Sequence, residues 1–275
     1  MNVIRRAVEA HKDGRLLSDA VRHIKQATIH TEPALRFRLG LPKMSMRELP
    51  AIVTSGDFTG SEAQALKASL RSAIDGHSKL PASVRDIKGM SGQRYRTLVN
   101  TLVEALDRPR YLEIGSWLGS TVAAAIYSNN VQAVCIDNWS KFSGTKKQFL
   151  ENIAKATSST TEVDLIEQDF RKVDYRVLDK FNIYLFDGPH SELDHRDSVL
   201  IVQPCLADWF VLIVDDWNWR SVRIGTMHGL LAAKCRVEAS IQVRTTNDET
   251  HPSVAFEASD WHNGYFIAVV RKRLQ

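Results

Sequence analysis

The chain of 275 residues has only three cysteines, Cys135, Cys205 and Cys235. They are too few and too scattered for a disulfide framework or a thiolate metal centre, and their apolar or helical surroundings mark them as core thiols. No apolar run reaches the roughly eighteen residues that a membrane-spanning helix needs. The opening Met-Asn-Val-Ile-Arg-Arg lacks the apolar stretch that follows the basic residues of a secretory signal. A cytoplasmic protein without a membrane segment is therefore expected. Internal repeats and low-complexity tracts are also missing, which excludes solenoids and extended disordered regions.

What is present is an ordinary globular composition, 44% hydrophobic and 25% charged, with a net charge of +4. Residues 1–50 hold ten Lys or Arg against five Asp or Glu, and the remainder is almost neutral. The basic side chains alternate with acidic ones instead of forming a patch. This fits a solvated helical face, and no nucleic-acid partner is expected. Residues 3–30 read as two short amphipathic helices broken at Asp13-Gly14, and 31–60, with Pro33, Pro42 and Pro50, as a loop-rich connector. Helical spacing returns over 61–74 and 94–106.

After Pro109, short apolar runs at 111–114, 131–136, 163–166, 183–186 and 210–214 alternate with helical segments. That is the pattern of βαβ units and a parallel sheet covered on both faces. Two late runs, at about 240–244 and 265–270, flank Asn263-Gly264 and are expected to close the sheet as an antiparallel pair. The predicted fold is α/β, a Rossmann-like doubly wound sheet, mostly parallel with an antiparallel C-terminal strand. An N-terminal helical extension and connector (1–85) precedes the catalytic domain (86–275).

Ligands of such sheets bind beyond the carboxyl ends of the strands, where strand order reverses. The first strand of this region runs Tyr111-Leu112-Glu113-Ile114 into Gly115-Ser116-Trp117-Leu118-Gly119 and a helix that Ser120 or Thr121 should cap. This glycine spacing fits neither the dinucleotide fingerprint nor the P-loop. The next strand ends at Asp137, about twenty residues on, where such folds bind ribose hydroxyls. A third ends before Asp169, placed to accept from an adenine amino group. An adenosine cofactor is indicated.

The fourth and fifth strands end in Asp187-Gly188-Pro189-His190 and Asp215-Asp216-Trp217. Neighbouring strands would bring the three aspartates to one rim, where repulsion raises a pKa unless a cation neutralises them. So many oxygen ligands suit magnesium, calcium or manganese better than zinc. His195, among charged neighbours in a helical segment, is read as a surface residue. Trp139, Trp217 and Trp219 lie at strand ends, where they could stack on an acceptor or pack in the core.

From Glu113 to Gly119 the sequence resembles the first motif of class I S-adenosylmethionine-dependent methyltransferases, an acidic residue, an apolar one and Gly-x-x-x-Gly. The resemblance spans about residues 90–270. It implies S-adenosylmethionine as cofactor, with Glu113, Gly115, Ser116 and Gly119 at its methionine end, Asp137 at the ribose and Asp169 at the adenine. The Asp-Gly-x-His turn with a later Asp-Asp pair is similar to metal-dependent, macrocin-type sugar O-methyltransferases. That likeness implies Asp187, Asp215 and Asp216 as ligands of a divalent metal, magnesium first, with His190 as the base. The acceptor would be a hydroxyl of a small molecule, a sugar or glycosylated metabolite, and the protein could be a homo-oligomer. Residues 1–80 match nothing in that family. Two other readings stand beside this one, a metal-dependent oxygenase or hydrolase on the same fold and a non-catalytic adenosine-binding protein.

Overall fold

The computed structural model describes residues 31–42, 49–142 and 145–273. The helices expected over 3–30 lie outside the described residues. The first described elements fall within the supposed connector: helix α1 (Glu32–Leu39) and strand β1 (Ala51–Gly56). The stretch read as a loop-rich connector thus holds a helix and a strand, and Pro33 stands in the first turn of α1. At that position the missing N–H costs no helical bond and the fixed φ favours entry. Gly40, left-handed, ends the helix.

The remaining elements are α2 (Ser61–Asp75), the single turn α3 (Ala82–Arg85), α4 (Gln93–Ala105), β2 (Arg110–Ile114), α5 (Ser120–Ile126), β3 (Val131–Ile136), α6 (Lys146–Ala156), β4 (Thr161–Ile166), β5 (Phe181–Phe186), α7 (Glu192–Ile201), β6 (Leu206–Val214), α8 (Arg220–Ala232), β7 (Cys235–Arg244) and β8 (Tyr265–Lys272). The eight strands form one sheet in the order β1-β7-β8-β6-β5-β2-β3-β4. Strands β4, β3, β2, β5 and β6 are mutually parallel, whereas β8 runs antiparallel to both β6 and β7, and β1 antiparallel to β7. The expected antiparallel closing pair is thus β7–β8. The sheet also reaches back to β1, before residue 86.

Strand alternation builds a core on each face. Val211 and Ile213 of β6 join Leu66, Leu98, Val122 and Phe149 on one face, while Leu212 and Val214 join Leu35, Val199, Met227 and Leu230 on the other. Each such side chain, fully buried, contributes about 1.5–3 kcal/mol. The cysteines are all buried and free, as read from their surroundings. α1 is tied to α8 by Glu32, which pairs with Arg36 at 3.0 Å and Arg223 at 2.8 Å. No described helix is long and apolar enough to cross a membrane.

Strand order reverses between β2 and β5, which are hydrogen-bonded neighbours. The ends of β2, β3, β5 and β6 therefore open onto a common crevice.

Candidate active site

Glu113 is the fourth residue of β2 and is buried, with Tyr111 donating its hydroxyl proton to Oε2. Burial pushes the Glu113 carboxyl up to about 7, against the lowering hydrogen bond from Tyr111. The chain then turns at Gly115 (φ +89°), where a Cβ would lie 2.0 Å from the Asp187 carbonyl oxygen. No side chain fits, because the β2 and β5 loops meet there backbone to backbone. Gly115→Ala should combine left-handed strain with this overlap and destabilise the fold by about 3 kcal/mol or more. A melting temperature equal to wild type would show that the two loops can separate freely.

The helix after this loop starts differently from expectation. Its cap is Gly119, left-handed and without a side-chain cap bond, and Ser120 is already helical. Ser120 instead packs inward, its hydroxyl 3.0 Å from that of Ser91.

Asp137, just past β3, accepts from the backbone N–H of Trp117 (2.8 Å) and of Trp139 (2.7 Å). Both tryptophans have left-handed backbones, and the Trp139 indole N–H donates to the Trp117 carbonyl. One carboxylate therefore fixes two loops of the rim. Asp169, after β4, accepts from the Arg171 backbone N–H, and the Arg171 guanidinium lies over the Phe170 ring. A cavity of about 500 Å³ connects these residues, with Glu113, Gly115, Ser116, Asp137 and Asp169 on its wall. Gly119 lies behind that wall, against Phe149.

The same cavity continues to Asp187, His190, Asp215 and Asp216. One ligand-type atom from each of Asp187, His190 and Asp216 falls within 4.8 Å of the others. Asp215, next to this group, accepts from the Asp216 backbone N–H. Burial, then repulsion from Asp215, Asp216 and Glu113, drives the Asp187 carboxyl well above its ordinary range, and Asp215 is driven up by burial and Asp216. His190 Nδ1 is 3.2 Å from Asp216 Oδ2 but is not aligned for a hydrogen bond. Burial lowers the His190 pKa, with Asp216 opposing and Lys141 reinforcing.

The Asp215-Asp216 pair does not cap α8, whose cap residue is Trp219. Trp217 is buried in the core, stacked on Phe266 at 4.5 Å, whereas Trp139 and Trp219, with Trp117, line the cavity. The surface reading of His195 was wrong. It is 1% exposed, edge-on to Phe186, and burial brings its pKa down to about 3. Among the lining residues that escaped sequence reasoning are two histidines, His251 and His262, which stack at 5.9 Å beside Trp219. They come from the irregular stretch between β7 and β8, which carries no periodic signal.

Residues 112–217 match the family model described as a methyltransferase domain. Residues 112–217 thus carry a methyltransferase domain. No curated protein sequence matches it. Among solved structures, it is similar to a structural-genomics protein from Corynebacterium glutamicum (15% identity, 76% of this chain and 98% of that one, TM-score 0.50), which shares the fold. Others are the O-methyltransferase TomG of tomaymycin synthesis from Streptomyces achromogenes, in complex with SAM (17%, 76% and 90%, 0.47), and a putative caffeoyl-CoA O-methyltransferase from Staphylococcus aureus (13%, 74% and 99%, 0.49).

The acidic end of the cavity has a pH dependence of its own. Glu113, Asp187 and Asp215 all have folded-state pKa values above their ordinary ones. Their stabilising protonation is complete below the ordinary carboxylate pKa and is lost as pH rises through the folded values, about 7 for Glu113. In a chelator, the melting temperature should fall between about pH 6 and pH 8. A melting temperature that stays level or rises over this range would contradict the cluster's protonation.

Proposed function

We propose that this methyltransferase transfers a methyl group to a hydroxyl of a small molecule with the help of a divalent metal, magnesium first. The observation that carries this reading is the convergence of Asp187, Asp215, Asp216 and His190 on one end of the cavity whose other end meets Asp137 and Asp169.

The residues present fit both absent groups. At the cofactor end, about 500 Å³ is ample for an adenosine-sized ligand, and the indole N–H of Trp117 is buried there without a partner among the described residues. Asp137 would hold the ribose, Asp169 the adenine, and Glu113 with the Gly115–Gly119 loop, Ser116 included, the methionine end. At the other end, buried carboxylates with raised pKa values form a donor set suited to a hard cation, and beside them the His190 imidazole has a nitrogen without an aligned partner. S-adenosylmethionine supplies the electrophilic methyl. The cation supplies charge neutralisation and polarisation of the acceptor hydroxyl.

The protein's own part is alignment and proton removal. The β2 and β5 loops, locked at Gly115, fix the distance between the cofactor and acceptor ends. His190, its pKa lowered by burial, is neutral near pH 7 and takes the hydroxyl proton. Trp219 and His251 form an aromatic wall beside it, suited to stacking on a sugar face or another ring. A second reading makes His190 a metal ligand, favoured by its place in the 4.8 Å group.

The test is methyl transfer to a panel of hydroxyl compounds, sugars included, followed by mass spectrometry. Activity should disappear in excess chelator and return with magnesium. Full activity in chelator would remove the metal from the reaction.

A further inference from the structure

Asn263 was legible in the sequence only as part of a turn with Gly264. In the fold it lies next to the acidic rim, completely buried, and its Nδ2 donates to Asp216 Oδ1 at 2.6 Å. We propose that Asn263 is a positioning residue that determines which oxygen of Asp216 is offered to the cation. The inference rests on the metal-assisted reading above.

The orientation of the Asn263 amide follows from its neighbours, one bond at a time. Asn218 Oδ1 accepts from the backbone N–H groups of Thr245 (2.9 Å) and Thr246 (3.3 Å), so its other amide atom must be the nitrogen. That nitrogen donates to Thr245 Oγ1 (2.9 Å), whose own proton goes to the His262 carbonyl, and to Asn263 Oδ1 (2.8 Å). Asn263 must therefore present its oxygen to Asn218 and its N–H to Asp216. A flipped amide would set donor against donor on one side and oxygen against carboxylate on the other.

The backbone makes the same clamp. Trp217 N–H donates to the Gly264 carbonyl and Asn218 N–H to the Asn263 carbonyl, which extends the β6–β8 pairing past Val214. Gly264 (φ +82°) is required, since a Cβ would lie 2.5 Å from the Val243 carbonyl and 3.0 Å from Asn218 Oδ1. Asp216, also left-handed (φ +57°), is thus held by a two-asparagine link to the β7–β8 segment. With Oδ1 engaged by Asn263, Oδ2 is the oxygen turned toward His190. Asp216 would serve as a one-oxygen ligand. The β7–β8 segment, which also carries His251 and His262, would set its aim.

Calorimetric titration of the full-length protein with magnesium chloride, and separately with S-adenosylhomocysteine, tests this. Asn263→Ala should weaken magnesium binding by about 10–100-fold, the usual loss for a residue that orients a ligand, and leave S-adenosylhomocysteine affinity within about twofold. Asn263→Ser takes its place if the alanine variant does not fold. In the wild-type protein, the Asn263 side-chain amide resonances should shift on adding magnesium, a readout independent of any variant. Wild-type magnesium affinity in the variants, or unmoved amide resonances, would overturn the positioning role and leave the metal reading standing. A wild-type protein that binds no magnesium would overturn both.

Discussion

His190→Ala is expected to lower methyl transfer by about 10²–10⁴-fold, the range seen when a positioned general base is removed. The expectation rests on where the ring sits. Its Nδ1 is 3.2 Å from Asp216 Oδ2, and the ring is edge-on to Trp219 on the cavity wall. Burial lowers its pKa below the ordinary 6.5, so wild-type turnover should stay level through neutral pH and fall only below that value. The acid limb should vanish in the variant, and residual activity should rise with pH as the acceptor hydroxyl ionises unaided. Magnesium affinity separates the two roles. A base can be lost with the affinity intact, whereas a ligand cannot. Wild-type turnover with an unchanged acid limb would make His190 a structural residue.

The second large effect is expected from Asp137→Ala. Two charge-assisted bonds to ribose hydroxyls, each about 1.5–3 kcal/mol, would be lost, weakening S-adenosylmethionine binding by roughly 10²-fold or more. The same carboxylate holds the backbone N–H groups of Trp117 and Trp139, so the variant should also loosen the rim and melt earlier. Asp137→Asn keeps one acceptor oxygen and should fall between the two. Affinity unchanged in Asp137→Ala would remove the ribose assignment.

The sheet was readable because its strands are buried on both faces and stand out as short apolar runs, while the helices between them keep a period near four. The glycine loop after β2 was readable for a related reason. Gly115 stands where two backbones touch, and Glu113, Asp137 and Asp169 each follow or end a strand, where topology alone gathers them. What was missed depends on contacts between distant segments. Pro33 and Pro50 signal breaks, yet one starts a helix and the other precedes an edge strand whose partner, β7, is almost two hundred residues away. His195 looked exposed because Asp194, Arg196 and Asp197 surround it in sequence. Its spacing to Ser198, Val199 and Val202 marks the buried face of α7, and that spacing was the better guide. His251, His262 and Asn263 left no such trace, since a stretch without period says nothing about which wall it will form.

The division of the acidic rim also needed coordinates. Sequence places Asp215 and Asp216 side by side as equals. In the fold both line the cavity, but the backbone at Asp216 is left-handed, and Asp216 joins the group with Asp187 and His190 while Asp215 accepts from the Asp216 N–H. Asp215 is buried on the cavity wall, and its repulsion is part of what raises the Asp187 pKa.

The most direct measurement is a calorimetric titration of magnesium into the protein saturated with S-adenosylmethionine, run on wild type and on Asp187→Ala. A metal-assisted methyltransferase should bind S-adenosylmethionine with chelator present, then bind magnesium in the wild type and lose that binding in Asp187→Ala. S-adenosylmethionine binding without any magnesium binding in the wild type, or equal magnesium binding in both proteins, would contradict it.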